Sequence, residues 1–144
     1  MRRFLFDTSV FIHALGEEHR YREPCRAILL EMRGGRLAGE TSVESIHEFA
    51  YVRCRRRATR SDAAESARDI ARMCPLHVVG PGDIERALAL WCEHARLDMR
   101  DAIFVAQALN RGIDAILSPD RDFDGIPELE RIDPADADAV ATLR

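Results

Sequence analysis

Lysine is absent: all 21 basic residues of the 144-residue chain are Arg, set against 25 Asp and Glu for a formal charge of −4. A net acidic protein is no generic nucleic-acid coat, so any contact with nucleic acid has to come from a local basic patch. The missing Lys itself belongs to genomic base composition more than to chemistry. Long apolar runs are missing too. Phe4-Leu5-Phe6 is followed at once by Asp7, which leaves no signal-peptide core, and nothing reaches the length of a membrane span. A cytoplasmic location without membrane contact is expected. Cys25, Cys54, Cys74 and Cys92 form no C-x-x-C pair and have no matching His pair. That excludes a zinc finger and a disulfide scaffold, and leaves reduced thiols, mostly core filler. With only 8 Gly and 6 Pro beside 47% hydrophobic residues, disordered and fibrous classes are excluded as well. A chain of this length buries roughly 70% of the surface its unfolded form exposes, enough for one self-sufficient domain over residues 1–144.

What is present alternates between strand and helix signals. Arg3–Phe6 reads as a buried strand closed by Asp7-Thr8-Ser9, which offers capping side chains to the segment that follows. Residues 24–32 have helical spacing and stop at Gly34-Gly35, and residues 36–39 suit a brief second strand. Thr41 opens a long helix with Glu44 at the capping-box position, and Val43, Ile46, Ala50 and Cys54 trace its apolar face. Ser61 caps a further helix that runs to Met73. Residues 76–79 read as a strand, Pro81 starts a helix bearing Ile84, Ala87, Leu88 and Trp91, and residues 101–110 form the most apolar helix. Residues 115–118 and 129–132 are the last strands. Such alternation implies a parallel sheet covered by helices on both faces.

In an open α/β sheet, ligands bind beyond the carboxyl ends of the strands. Asp7 directly follows the first strand, Asp120 falls just beyond the strand ending at Ser118, and Asp101 begins the helix that leads into that strand. Glu48 lies one turn past Glu44 on the same side of its helix. Singly, each acid has a plain structural reading. Asp7 and Glu44 suit caps, Asp101 a partner of the helix dipole, Asp120 and Asp122 a turn, and Glu48 a solvated surface. Jointly they carry a cost. Two carboxylates about 5 Å apart repel by about 3 kcal/mol at an effective dielectric of about 20, so gathering Asp7, Glu48, Asp101 and Asp120 in one crevice calls for a cation among them. Oxygen ligands alone select Mg²⁺ or Mn²⁺, ions that keep several waters and act on phosphate oxygens. The chemistry that follows is hydrolysis of a nucleic-acid phosphodiester.

The segments RRFLFDTSVFIHAL, TSVESIHEFAYVRCRR, RDAIFVAQALNRG and DAILSPDRDFDGI, in that order, resemble the PIN-domain ribonucleases and, within them, the VapC toxins of VapBC toxin–antitoxin modules. The likeness spans residues 3 to 134. It implies a PIN-like (Rossmann-like) α/β/α sandwich with a four- or five-stranded parallel sheet and a Mg²⁺ or Mn²⁺ site. It also implies endonucleolytic RNA cleavage that leaves 5′-phosphate and 3′-hydroxyl ends. By motif, Asp7 and Asp101 correspond to metal ligands, Glu48 to the helix Glu and Asp120 to the acid of the closing turn. Glu48 would hold the attacking water or stand one layer out from the ion, and Asp120 would complete the metal's ligands or extend them to a second ion. Thr8, Ser9 and Ser118 would orient carboxylates or water, and Asp122 is auxiliary. Glu44 competes with Glu48, as Asp122 does with Asp120.

Arg53, Arg55, Arg56, Arg57 and Arg60 make a dense basic stretch beyond Glu48. Two readings stand side by side: contact with RNA phosphates, or charge that suits a helix C-terminus. The resemblance further implies a homodimer and a VapB-like antitoxin; the apolar residues Tyr51, Met73 and Trp91 fit a core better than an interface. A non-catalytic PIN-like binding module is the alternative, and the full set of acids argues against it. A dehalogenase-type phosphatase would place D-x-D after the first strand, where this chain has Ser9.

Overall fold

Five parallel strands, β1 (Arg3–Phe6), β2 (Ala38–Ser42), β3 (Leu76–His77), β4 (Ala115–Leu117) and β5 (Glu130–Ile132), form one sheet in the order β3-β2-β1-β4-β5. The computed structural model describes residues 1–144. Seven helices complete it: α1 (Thr8–Leu15), α2 (Arg22–Arg33), α3 (Val43–Arg55), α4 (Arg60–Met73), α5 (Pro81–Glu93), α6 (Met99–Asn110) and α7 (Ala137–Ala141). None is long and apolar enough to cross a membrane. The strand side chains alternate between two cores, as the twofold strand period requires. Phe4, Phe6, Ala115 and Leu117 pack with α1, α2 and α4, whereas Leu5 and Ile116 pack with α5 and α6. The result is the α/β/α sandwich the sequence predicts, in its five-stranded form.

Several boundaries differ from the sequence reading, each for a physical reason. β2 starts later than residue 36 and runs on through Thr41 to Ser42. Its residues look unlike a strand because Glu40 is buried there with polar partners, Arg3 and His77. Gly39 is required in the same strand, because a Cβ at that position would collide with the rings of Phe6 and Phe4. The cap of α3 is therefore Ser42, whose Oγ accepts from the Glu44 amide at 3.1 Å, and Glu44 is not in a capping box. Thr59, not Ser61, caps α4. Asp7 precedes α1 but makes no side-chain cap bond.

Hydrophobic spacing misplaced one surface. On α5 the buried side is Asp83, Ala87 and Leu90, while Ile84, Leu88 and Trp91 face solvent. Tyr51 is exposed as well, and only Met73 of the three apolar residues expected in the core is packed against it. Of the four free cysteines, Cys25 and Cys74 are buried; Cys54 is half-buried and Cys92 exposed. α7 carries no apolar pattern long enough to announce it.

Candidate active site

β1 and β4 are neighbours that end together, Phe6 opposite Leu117. β2 and β3 lie to one side of β1, β4 and β5 to the other, so this is the topological switch point at which open α/β sheets form their crevice. Asp7 continues β1 into that crevice, its amide donating to the Leu117 carbonyl at 3.1 Å. Its Oδ2 accepts from Ser118 Oγ at 2.7 Å and from Ser9 Oγ at 2.5 Å. The first joins two strands from opposite ends of the chain. Ser118 Oγ in turn accepts from the Asp120 amide at 3.0 Å. Desolvation pushes the Asp7 carboxyl up from its ordinary range; the two serine hydroxyls oppose this, and the charges of Glu48 and Asp120 add to it.

Asp101 is freed from capping by a neighbour. Asp98 is the N-cap of α6, its Oδ1 accepting from the Asp101 amide at 2.8 Å. The Asp101 carboxyl is raised to about 8, first by burial and then by the charges of Asp98, Asp7 and Asp120, with Arg100 opposing; no hydrogen bond offsets the cost. Asp120 does the turn work expected of it with Oδ1, which accepts from the Asp122 amide at 2.9 Å. Glu48 projects from α3. Thr8 Oγ1 stands 3.2 Å from Glu48 Oε2 and 3.1 Å from Ser45 Oγ. One hydroxyl donates once, so Ser45 donates to Thr8 and Thr8 to Glu48.

Asp7, Glu48, Asp101 and Asp120 are thus brought together, as are Thr8, Ser9 and Ser118. Asp122 turns outward to Arg96 at 3.3 Å, and Glu44 is exposed at the mouth of the adjoining groove. The sequence reading missed Asp98 and Arg100. The Asp98-x-x-Asp101 spacing was the available signal, since only the first of two such acids can cap. Arg100 left none; its guanidinium lies 3.5 Å from Glu48 and 3.6 Å from Asp98. In the basic stretch, Arg53 is tied to the Leu15 carbonyl at 2.9 Å and Arg56 ends α3. Arg57 takes a left-handed turn with φ of 71°, and Arg55 and Arg60 line a groove.

The donor chemistry fits a hard divalent cation. All the donors are oxygens, and Asp101 presents a half-buried carboxylate that no hydrogen bond compensates. As the side chains stand, no three Asp, Glu, His or Cys residues are arranged to hold one ion together.

A PIN domain family model matches residues 4–129. The chain is 33% identical to ribonuclease VapC7 of Mycobacterium tuberculosis over 141 residues, covering 96% of this chain and 97% of that protein. Among solved structures, a chain of a toxin–antitoxin complex from Klebsiella pneumoniae superposes with a TM-score of 0.70 at 20% identity, covering 91% of this chain and 97% of that one. Mycobacterium tuberculosis VapC20, a toxin that cleaves the sarcin–ricin loop, superposes with a TM-score of 0.65 at 20% identity, covering 85% and 90%.

Proposed function

The chain belongs to the PIN-domain family and, within it, to the VapC ribonucleases, and on that premise we propose a Mg²⁺- or Mn²⁺-dependent endoribonuclease, the toxin of a toxin–antitoxin pair. The observation that carries the metal-dependent reading is the uncompensated Asp101 carboxylate beside Asp7 and Asp120, at the carboxyl edge of β1 and β4. The products are 5′-phosphate and 3′-hydroxyl ends.

Asp7, Asp101 and Asp120 would hold the ion, which supplies an activated water and neutralises charge on the phosphate oxygens when bound. The protein's part is to fix those groups. Asp7 is held on strand backbone and by Ser118. Glu48, oriented by Thr8, receives the proton of the attacking water at Oε1 or Oε2. Arg100 spans Glu48 and Asp98 at the mouth of the site and screens their charge.

The direct test is cleavage of structured RNA in Mg²⁺ or Mn²⁺ against the same reaction in chelator, where activity is expected only with the ion. Divalent ions are also expected to raise the melting temperature, by about 4 °C at tenfold excess over the Kd, because they bind a repulsion that exists only in the fold. No shift at saturating metal would remove the ion from the site. Ser118→Ala should lower cleavage by about 10- to 100-fold, since a partner that orients a metal-binding carboxylate has that weight. Activity equal to the parent's at matched ion concentration would show that Asp7 is positioned without it.

The partner proposed is a VapB-like antitoxin, in keeping with the toxin–antitoxin complex that shares this fold. A homodimer belongs to the same reading, and the exposed Ile84, Leu88 and Trp91 stripe of α5 offers an apolar face for it. A cytoplasmic location fits a protein that acts on RNA.

A further inference from the structure

Glu44, Glu48, Tyr51 and Arg55 follow one another at spacings of four, three and four and so share one face of α3. Two concavities lie along that face. One, of about 220 Å³, is lined by Glu48, Tyr51, Arg100 and Phe104; the other, of about 670 Å³, by Tyr51, Arg55, Arg60 and Ala63. His47 and Tyr51 border both, so the two lie side by side along α3 as a channel interrupted by these side chains. From Glu48 to Arg55 it follows about 10 Å of helix.

Its lining sets an exposed aromatic ring beside two arginines. Most arginines elsewhere are paired: Arg2, Arg3, Arg111, Arg131 and Arg144 each reach a carboxylate. In a chain with more acids than bases, Arg55 and Arg60 nevertheless face the channel without an ion pair. Tyr51 stands between them and the acids with 58% of its surface exposed, and the Arg55 guanidinium lies over its ring at 5.7 Å. An exposed aromatic ring with Arg55 over one face and Arg60 in the same groove, and small apolar residues beneath, suits an unpaired base stacked on the ring's open face next to phosphates held by the two guanidinium groups. A duplex cannot present a free base face.

Resting on the ribonuclease reading, we propose that this channel seats single-stranded RNA, with Tyr51 as the platform on which one base stacks and Arg55 and Arg60 as contacts for flanking phosphates. The channel opens onto Glu48 and Arg100, so a strand lying in it leads its backbone to the acids. Tyr51 then selects unpaired segments over helices as cleavage sites.

The test uses full-length protein silenced by Asp101→Asn and a fluorescein-labelled oligoribonucleotide followed by anisotropy. The oligonucleotide is presented single-stranded, as a duplex, and with abasic sugars. The single strand should bind more tightly than the duplex. Tyr51→Ala should weaken it by about tenfold or more without altering the salt slope, and Tyr51→Phe should restore it. The abasic strand should bind the parent and Tyr51→Ala equally. Arg55→Ser with Arg60→Ser should flatten the slope of log K against log salt by about 1.4.

Tyr51→Ala binding the single strand as tightly as the parent overturns the proposal, as does equal affinity for duplex. Loss confined to capture of an antitoxin peptide, with RNA binding intact, assigns the channel to a protein and overturns it too. The ribonuclease reading is tested separately by cleavage with the unsubstituted chain. A chain that cleaves RNA independently of Tyr51 keeps that reading and loses the channel; one that binds as described and never cleaves loses the reading.

Discussion

Asn in place of Asp101 is expected to lower RNA cleavage in Mg²⁺ by about a thousandfold or more, and at the same time to raise the melting temperature measured in chelator. The two effects share one cause. The folded Asp101 carboxyl holds its proton up to about 8, whereas the unfolded chain releases it at about 4. Between those values the native state binds more protons than the unfolded one, so the metal-free protein loses stability as pH rises from about 4 to about 8. Asn carries no such charge, and the variant's melting temperature should be flatter across that range. Asp7→Asn should be equally inactive, because the same ion needs both carboxylates. A residue whose removal stabilises the fold while ending the chemistry belongs to a site. Cleavage by both variants at the parent's rate and equal folded concentration would end the catalytic assignment. A lower melting temperature for Asp101→Asn would make Asp101 a structural residue.

The acids were legible because topology needs little information: a residue after a parallel strand has to sit at the crevice edge, and Asp7 and Asp120 do. The hydrogen bond from Ser118 to Asp7 was not legible, since its partners are far apart in sequence and meet only through the β1–β4 pairing. Polar burial hid β2. Glu40 is an unlikely strand residue until Arg3 and His77 are known to face it. The helix spacing of α5 fits two stripes, Asp83-Ala87-Leu90 and Ile84-Leu88-Trp91, and apolarity favoured the second. The buried one includes an acid, because Asp83 is paired with Arg111 at 2.9 Å. The Arg stretch divides in a way no sequence shows: Arg53 serves the fold and Arg55 and Arg60 face a groove.

Asp83→Ala should show the opposite signature to Asp101→Asn: about 3 kcal/mol of stability lost, roughly 10 °C in melting temperature, with cleavage per folded molecule retained. Asp83 accepts from Arg111 through both oxygens, at 2.9 and 3.1 Å, from the Gly80 amide at 2.9 Å and from Asn110 at 3.0 Å. Arg111 also donates to the carbonyls of Gln107 and Val78, and its own carbonyl accepts from Arg3. The pair therefore ties the start of α5 to the end of α6 and to β1. Without the carboxylate, a largely buried guanidinium is left against carbonyls alone. The Arg111 bond, above all, holds the Asp83 carboxyl far below the usual carboxylate range. Its contribution is complete above about pH 4 and fades as pH falls further, so urea unfolding of parent and variant should converge only in strong acid. Equal stability at neutral pH would show that the pair is screened. Arg111 lies ten residues from Asp101, about 15 Å along α6, far enough that the acids at the other end keep their geometry once the helix is formed. A loss of cleavage per folded molecule would mean that α6 transmits the change along its length.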